Sequence, residues 1–330
     1  MTRFNKRFVI ILLTLLTLSF AIGILFLLEI DIPNLNGGKV FIMYAGSLIK
    51  TFESTMGPSF QKETGYGYLG EGRGSLQIAN MIIDRQRRPD IFISAGTIPI
   101  LMVIDLNPTL AHWLVEFASA ELVIAYTPNA SFFNYLEKAR TVSFHGTRFY
   151  QMNIKFGRTD PELDPKGYYI IIASNLANLY YNDQKIKDRI LGEDRDPDQI
   201  FPEETLKTAL ESGQIDAIAA YKHEAVARGL CYITLPQQIK LSNIPFSNFY
   251  RQASYTLRDG KTVYGEPIFF SDTILETSRK IGGSLAFVKF LLSENGQLLK
   301  NNGLIPMKPR IEGDFEKKPS VIKSVVGDQK

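Results

Sequence analysis

A repeated pattern constrains this chain more than any other feature: an apolar run, a turn of small residues, then helical spacing. Lys39–Tyr44 (KVFIMY) has strand length and breaks at Ala45-Gly46-Ser47; Leu48, Phe52, Met56 and Phe60 then recur at every fourth position, a helix over Leu48–Lys62. Tyr66–Leu69 reads as a second strand, and the glycine-rich Gly70–Ser75 leads into a helix over Leu76–Arg87. Ile91–Ser94 is a buried-type strand that ends in Ser94-Ala95-Gly96. Further strands are expected at Glu121–Tyr126, Gln214–Ala220 and Cys231–Leu235. Helices are expected at Phe132–Arg140, Tyr169–Tyr181, Pro202–Ser212, Lys222–Arg228, Leu285–Leu292 and Gly296–Asn301. Such alternation predicts an α/β protein with a mainly parallel sheet and helices on both faces. Ligands in such folds sit at the carboxyl ends of the strands, beside helix N-termini.

Composition narrows the function. At 330 residues, 45% hydrophobic and 22% charged, the chain is globular and long enough for two domains. One cysteine, Cys231, rules out an intrachain disulfide framework and a Cys-rich zinc site, and three histidines disfavour a His-rich metal site. The net charge of +3 is misleading about partners. Arg3, Lys6 and Arg7 supply all of it; residues 29–330 carry 34 basic and 34 acidic side chains. A neutral body has no overall attraction for a polyanion, so nucleic acid is not an expected partner.

Those three basic residues precede Phe8–Leu28, 21 residues without a charge. At about 1.5 Å per residue, a helix of that length spans a bilayer core of roughly 30 Å. The basic flank stays on the cytoplasmic side, which places the body outside. No small-x-small cleavage site follows, so the reading is an uncleaved signal anchor over residues 1–28, the alternative being a cleaved signal and a secreted or periplasmic protein. Residues 29–38, with Pro33, Gly37 and Gly38, read as a tether.

The three turns carry the chemistry. Ala45-Gly46-Ser47, Gly74-Ser75 and Ser94-Ala95-Gly96 each join small residues to a hydroxyl. At a helix start, free N–H groups, a Ser O–H and close backbone approach at Gly together make an anion site without a full positive charge. Taken singly, each turn is equally read as a helix cap. Neither GxGxxG nor GxxxxGK[ST] is present, and no GxSxG or HExxH, so neither a nucleotide site nor a catalytic set is indicated.

AGSL (Ala45–Leu48), EGRGS (Glu71–Ser75), RPDIFISA (Arg88–Ala95), ELVIAYTP (Glu121–Pro128), GRTDPELDPKGY (Gly157–Tyr168), SGQIDAIAAYKHEA (Ser212–Ala225) and AFVKFLLSENGQ (Ala286–Gln297) occur in that order. As an ordered set over roughly residues 39–310 they resemble the substrate-binding components of ABC importers for molybdate and tungstate, in the archaeal-type branch. The resemblance implies a two-lobed periplasmic-binding-protein fold (type II), without catalysis or cofactor. It implies a monomer that delivers an oxyanion to a membrane permease. Its ligand contacts fall on Ser47, Ser75, Ser94, Ala95, Asp160 and Tyr221, with Ala45, Gly46 and Gly74 as further candidates. Its second carboxylate, one residue before the tyrosine, is Ala220 here. Glu224, one helical turn on, is a candidate substitute, or else a solvated residue or a helix N-terminal charge.

With one carboxylate instead of two, a tetrahedral, hydrogen-bonded oxyanion is expected, with no metal beyond the ligand's own. Phosphate, sulfate or another small anion is the alternative, and an organic ligand or Fe³⁺ a remote one. Lobe one is expected over residues 39–124 and 247–315, lobe two with the hinge crossings over 125–246, and a loose tail over 316–330, the looseness extending back to Ile311. The hinge is expected near Ala125-Tyr126 and Pro245–Tyr250. His223 is expected at the surface or capping a helix, and Cys231 as a small buried apolar residue. Arg73 and Arg158 are read as solvated, or as steering or interlobe groups. Tyr168 and Tyr169 are read as the start of a packed helix.

Overall fold

A computed structural model describes residues 38–130, 133–134, 137, 154–293 and 296–314. The apolar run Phe8–Leu28, the tether and the tail 316–330 lie outside the described residues. Among the described residues no helix is long and apolar enough to cross a membrane. Of the helix expected over Phe132–Arg140, residues 133, 134 and 137 are helical and the others lie outside.

Among the described residues two main sheets form, and the first has six strands: β1 (Lys39–Ala45), β2 (Gly67–Arg73), β3 (Ile91–Ala95), β4 (Trp113–Ala120), β12 (Ile268–Ile274) and β13 (Ile305–Gly313), in the order β13-β4-β12-β3-β1-β2. The second has five: β5 (Leu122–Tyr126), β6 (Phe156–Thr159), β7 (Ile200–Phe201), β8 (Ala217–Tyr221) and β9 (Cys231–Thr234), in the order β7-β6-β8-β5-β9. A hairpin of β10 (Ser254–Thr256) and β11 (Thr262–Tyr264) lies on the return path. Both sheets are mixed, not mainly parallel. β2 and β3 pair parallel with β1, but β12 is antiparallel to β3 and β4, and β5 to β8 and β9. The cause is the crossing between sheets, because β12 re-enters the first sheet from the far lobe and so runs against its neighbours.

The chain leaves the first sheet between Ala120 and Leu122 and returns between Thr234 and Ile268. Ala125 and Tyr126 lie inside β5. Glu121, buried at the crossing, binds Lys222 at 3.0 Å and Lys240 at 2.8 Å. Ile311–Gly313, expected to be loose, are the end of β13 and pair with β4.

The first helical run, residues 46–64, passes through a 3-10 turn (Gly46–Leu48) and a π turn (Phe52–Met56) before α1 (Gly57–Thr64). It is followed by α2 (Ser75–Ile83) and α3 (Ile98–Leu106) in lobe one. Lobe two contributes α4 (Pro165–Tyr180), α5 (Ile186–Ile190), α6 (Glu203–Glu211) and α7 (Lys222–Arg228). α8 (Ile281–Leu292) and α9 (Gly296–Asn301) return to the first sheet. α4 starts where sequence chemistry dictates: Asp164 caps it by accepting from the Lys166 amide at 2.7 Å, and Pro165 occupies its first turn. Gly167 is needed there, since a Cβ would lie 2.5 Å from the Thr159 carbonyl oxygen.

Candidate functional site

The carboxyl ends of β1 and β3 and the start of α2 face the α4, α6 and α7 ends of lobe two. The lobes touch. The Gln77 amide donates to the Leu163 carbonyl at 3.0 Å, and Arg73 pairs with Glu204 at 3.6 Å, each contact crossing from one lobe to the other. A cavity of about 260 Å³ opens between them, walled by Arg73, Gly74 and Gln77 on one side and by Asp160, Asp164 and Glu203 on the other.

The predicted residues separate into two groups by their hydrogen bonds. Ser47 is buried and its hydroxyl has no partner. The Ser75 hydroxyl accepts from the Ala95 amide at 3.1 Å, which leaves its own proton available. Tyr221, the last residue of β8, is buried with its hydroxyl unpartnered. The third turn is satisfied internally. Ser94 donates to the Gly96 carbonyl at 2.5 Å, the Ala95 amide serves Ser75, and the Gly96 amide donates to Phe269 at 2.7 Å. Ala45 ends β1, and Gly46 and Gly74 are glycines because the other lobe presses on them: Glu203 fills the Cβ space at Gly46, and the Leu163 carbonyl fills it at Gly74. Asp160 shapes the turn before α4, where its Oδ1 accepts from the Glu162 amide at 2.9 Å and its carbonyl from Asp164 at 2.9 Å.

Sequence reasoning missed two further hydroxyls. Tyr168 and Tyr169 lie in the first turns of α4 with ring centroids 4.7 Å apart, and both hydroxyls are buried with no partner beyond each other. The Tyr169 hydroxyl lies 2.9 Å from where a Cβ at Gly96 would stand, so this lobe-two phenol reaches the third turn of lobe one. Burial holds the phenols of Tyr168, Tyr169 and Tyr221 well above the usual range, so all three carry protons to donate. A buried hydroxyl without a partner costs about 1–3 kcal/mol. Ser47 and the three tyrosines, drawn from both lobes, are buried neutral donors of the kind an acceptor-rich ligand needs. Adjacent tyrosines opening an apolar helix read as packing, and no sequence signal separated the two roles.

Behind these donors lies a charged ring that the sequence did not reveal. Lys166 is 2.8 Å from Glu203 and 3.1 Å from Glu224; Lys207 is 2.9 Å from each. All four side chains are buried. Glu224 also accepts from the Tyr221 amide at 2.8 Å, so its carboxylate is fully engaged. Burial alone would raise that carboxyl, but the two lysines outweigh it and hold it well below the usual range. Asp164, buried beside the ring and facing Glu203, is pushed up to about 7.

His223, expected at the surface or capping a helix, is buried between the lobes. It stacks on Tyr221 at 5.7 Å, meets Phe270 of β12 edge-on at 5.2 Å, and has Gly303 against its backbone. Burial lowers its imidazole to about 4. Arg158, read as solvated or steering, is fully buried, and its guanidinium donates to Gln199, Asp194 and Glu193 at 3.1, 2.7 and 2.8 Å. Cys231 is half-buried in β9. Ala220 faces α6 and α7 in a separate apolar cluster, on the opposite face of β8 from Tyr221.

Two α/β lobes that meet over buried neutral hydroxyls, with a cavity between them that is walled by other residues, define a binding protein of the periplasmic type. A family model for bacterial extracellular solute-binding proteins matches residues 40–303, and the chain belongs to that family. It is 31% identical over 321 residues to the molybdate/tungstate-binding protein WtpA of Pyrococcus abyssi, covering 87% of this chain and 90% of that one. It is 34% identical to a putative ABC transporter molybdenum-binding protein of Haloferax volcanii, over 71% of this chain and 72% of that one. Its fold matches the periplasmic molybdate-binding protein of Azotobacter vinelandii with a TM-score of 0.55 at 14% identity, covering 81% of this chain and 98% of that one. The sulfate-binding protein SubI of Mycobacterium tuberculosis matches with a TM-score of 0.54 at 12% identity, over 87% and 88% of the two chains.

Proposed function

We propose that this protein is the extracytoplasmic substrate-binding component of an ABC importer, and that it captures molybdate or tungstate between its lobes for a permease. The observation that carries this reading is the set of buried, protonated hydroxyls: Ser47 and Tyr221 without a partner, Tyr168 and Tyr169 with none beyond each other, and Ser75 with its free proton. Neutral donors can hold a desolvated dianion tightly, because hydrogen bonds to charge strengthen once water is excluded. The buried lysines cannot serve as direct counter-ions, since each is held by two glutamates.

The ligand stays tetrahedral in this reading. Six-coordination of the metal needs two carboxylates. Ala220 supplies none, and Glu224 is engaged by Lys166, Lys207 and the Tyr221 amide. Lobe one comprises the first sheet and lobe two the second, hinged where the chain crosses at Glu121 and over residues 235–267. Phe8–Leu28 anchors the protein to the outer face of the membrane, and mass measurement of membrane-extracted protein tests this; a mature N-terminus between residues 22 and 38 refutes it. Calorimetric titration of the residue 38–330 body with tungstate, molybdate, sulfate and phosphate tests the function. Tight binding of the first two and weak binding of the others is expected, and preference for sulfate or phosphate overturns the assignment.

A further inference from the structure

The Lys–Glu ring is a closed circuit of alternating charge. Lys166 from α4, Glu203 and Lys207 from α6 and Glu224 from α7 each touch two members of opposite sign, at 2.8–3.1 Å. Their residue exposures are 0, 4, 4 and 2%. Such a ring is not needed for packing, because well-fitted apolar residues serve a buried site as well or better. Its place in the fold suggests another role. The Lys166 Nζ lies 5.6 Å from the centre of the Tyr221 ring, and the Glu224 carboxylate holds the Tyr221 amide. On its other side Glu203 packs against Gly46, and Lys207 reaches the Gly46 carbonyl at 3.5 Å, one residue before Ser47. The ring therefore backs two of the donors proposed to hold the ligand, one from each lobe.

We propose that the Lys166–Glu203–Lys207–Glu224 ring sets the charge of the cleft, and thereby the charge of the anion it accepts. This rests on reading the cleft as an oxyanion site. With two cations and two anions the ring is neutral, so a dianion enters on hydrogen bonds alone. Shielded from water, an uncompensated unit charge behind the donors acts strongly on a doubly charged ligand. The glutamates do not repel the ligand only because the lysines cancel them, and the lysines do not attract it only because the glutamates hold them. Asp164 adds a tunable negative charge beside the ring.

The test is a charge cycle on the full chain with tungstate, read by calorimetry at pH 8.5. Glu224→Gln and Glu203→Gln leave one net positive charge and should tighten binding at least about tenfold. Lys166→Met and Lys207→Met leave one net negative charge and should weaken it by at least about as much. The double variant Lys166→Met/Glu224→Gln restores neutrality and should return to within about threefold of wild type. A purely structural ring moves every single variant in the same direction, or changes melting temperature without changing affinity, and either result overturns the proposal. Asp164→Asn breaks no ion pair and keeps an oxygen to cap α4, so it decides the matter even if the ring variants fold poorly. It should tighten binding, and unchanged or weakened binding counts against the ring. Wild-type protein that binds no oxyanion refutes instead the function on which the proposal rests.

Discussion

The Glu203 side chain occupies the space that any Cβ at Gly46 would need, so a lobe-two carboxylate closes directly onto the backbone of the first turn of lobe one. Gly46 is thus a glycine for closure and not for local conformation, since its φ is not in the left-handed region. Gly46→Ala should leave each lobe folded and the unliganded melting temperature nearly unchanged. It should reduce tungstate affinity at least about tenfold by holding the lobes apart. Calorimetry gives the affinity, and small-angle scattering should show the variant staying open when tungstate is added.

Individual hydroxyls should differ sharply. Ser47→Ala, Ser75→Ala and Tyr221→Phe each remove a free donor to a charged ligand. At about 1.5–3 kcal/mol per bond, affinity should fall roughly 10- to 100-fold for each. Ser94→Ala should leave affinity within about threefold, because its proton already serves Gly96. Equal losses at Ser47 and Ser94 would contradict the division between free and engaged hydroxyls.

Asp160→Asn tests the carboxylate. Asn also accepts from the Glu162 amide, so the turn before α4 should survive. Tungstate affinity should change less than about threefold. Loss beyond tenfold for tungstate would place the second carboxylate oxygen on the metal, and loss for phosphate alone would make it an acceptor for a ligand proton.

His223 gives the pH dependence its sign. Its imidazole is near 4 in the fold against 6.5 in the unfolded chain, so the unfolded state binds more protons between those values. Its contribution is present in full above pH 6.5 and is lost as the pH falls toward 4. Asp164 and Glu266, both pushed up to about 7 chiefly by burial, act oppositely: the fold gains stability as they protonate below pH 7. Two carboxyls outweigh one imidazole, so the wild-type protein should still gain stability as the pH falls from 7 toward 5, less steeply below pH 6.5, where His223 opposes them. In His223→Phe only the carboxyl effect remains. Its melting temperature should rise on acidification by about 2–4 °C relative to wild type. Parallel profiles would mean that His223 titrates as an ordinary exposed histidine.

The strand-turn-helix order was legible because it depends on local periodicity. α7 was expected at the bounds Lys222–Arg228 that it has. β4, β12 and β13 were not anticipated. Their residues alternate weakly, with buried polar groups such as Glu116 and Asp272, and they become strands by pairing with partners distant in sequence. Of the candidate donors, Ser47 and Ser75 were suggested by their turns and Tyr221 by the family resemblance alone. The charged ring was not legible, because Lys166, the Glu203–Lys207 pair on α6 and Glu224 are widely separated in sequence and each alone reads as a surface charge. Only the convergence of α4, α6 and α7 makes them one group.

The pairing of Ala120 with Ile268 across β4 and β12 has a mechanical consequence. The chain departs for lobe two and comes back through adjoining strands, about 5 Å apart. The second lobe therefore hangs from the first by one narrow two-strand ribbon. Such a ribbon bends readily about the line across its strands and resists shear along them, so the lobes should swing like a door and not slide. For the same reason, joining 120 to 268 by a short turn would leave every neighbour relation within the six-stranded sheet intact. The segment between them is a cassette, and ligand choice can be changed in it without redesigning the frame that carries it.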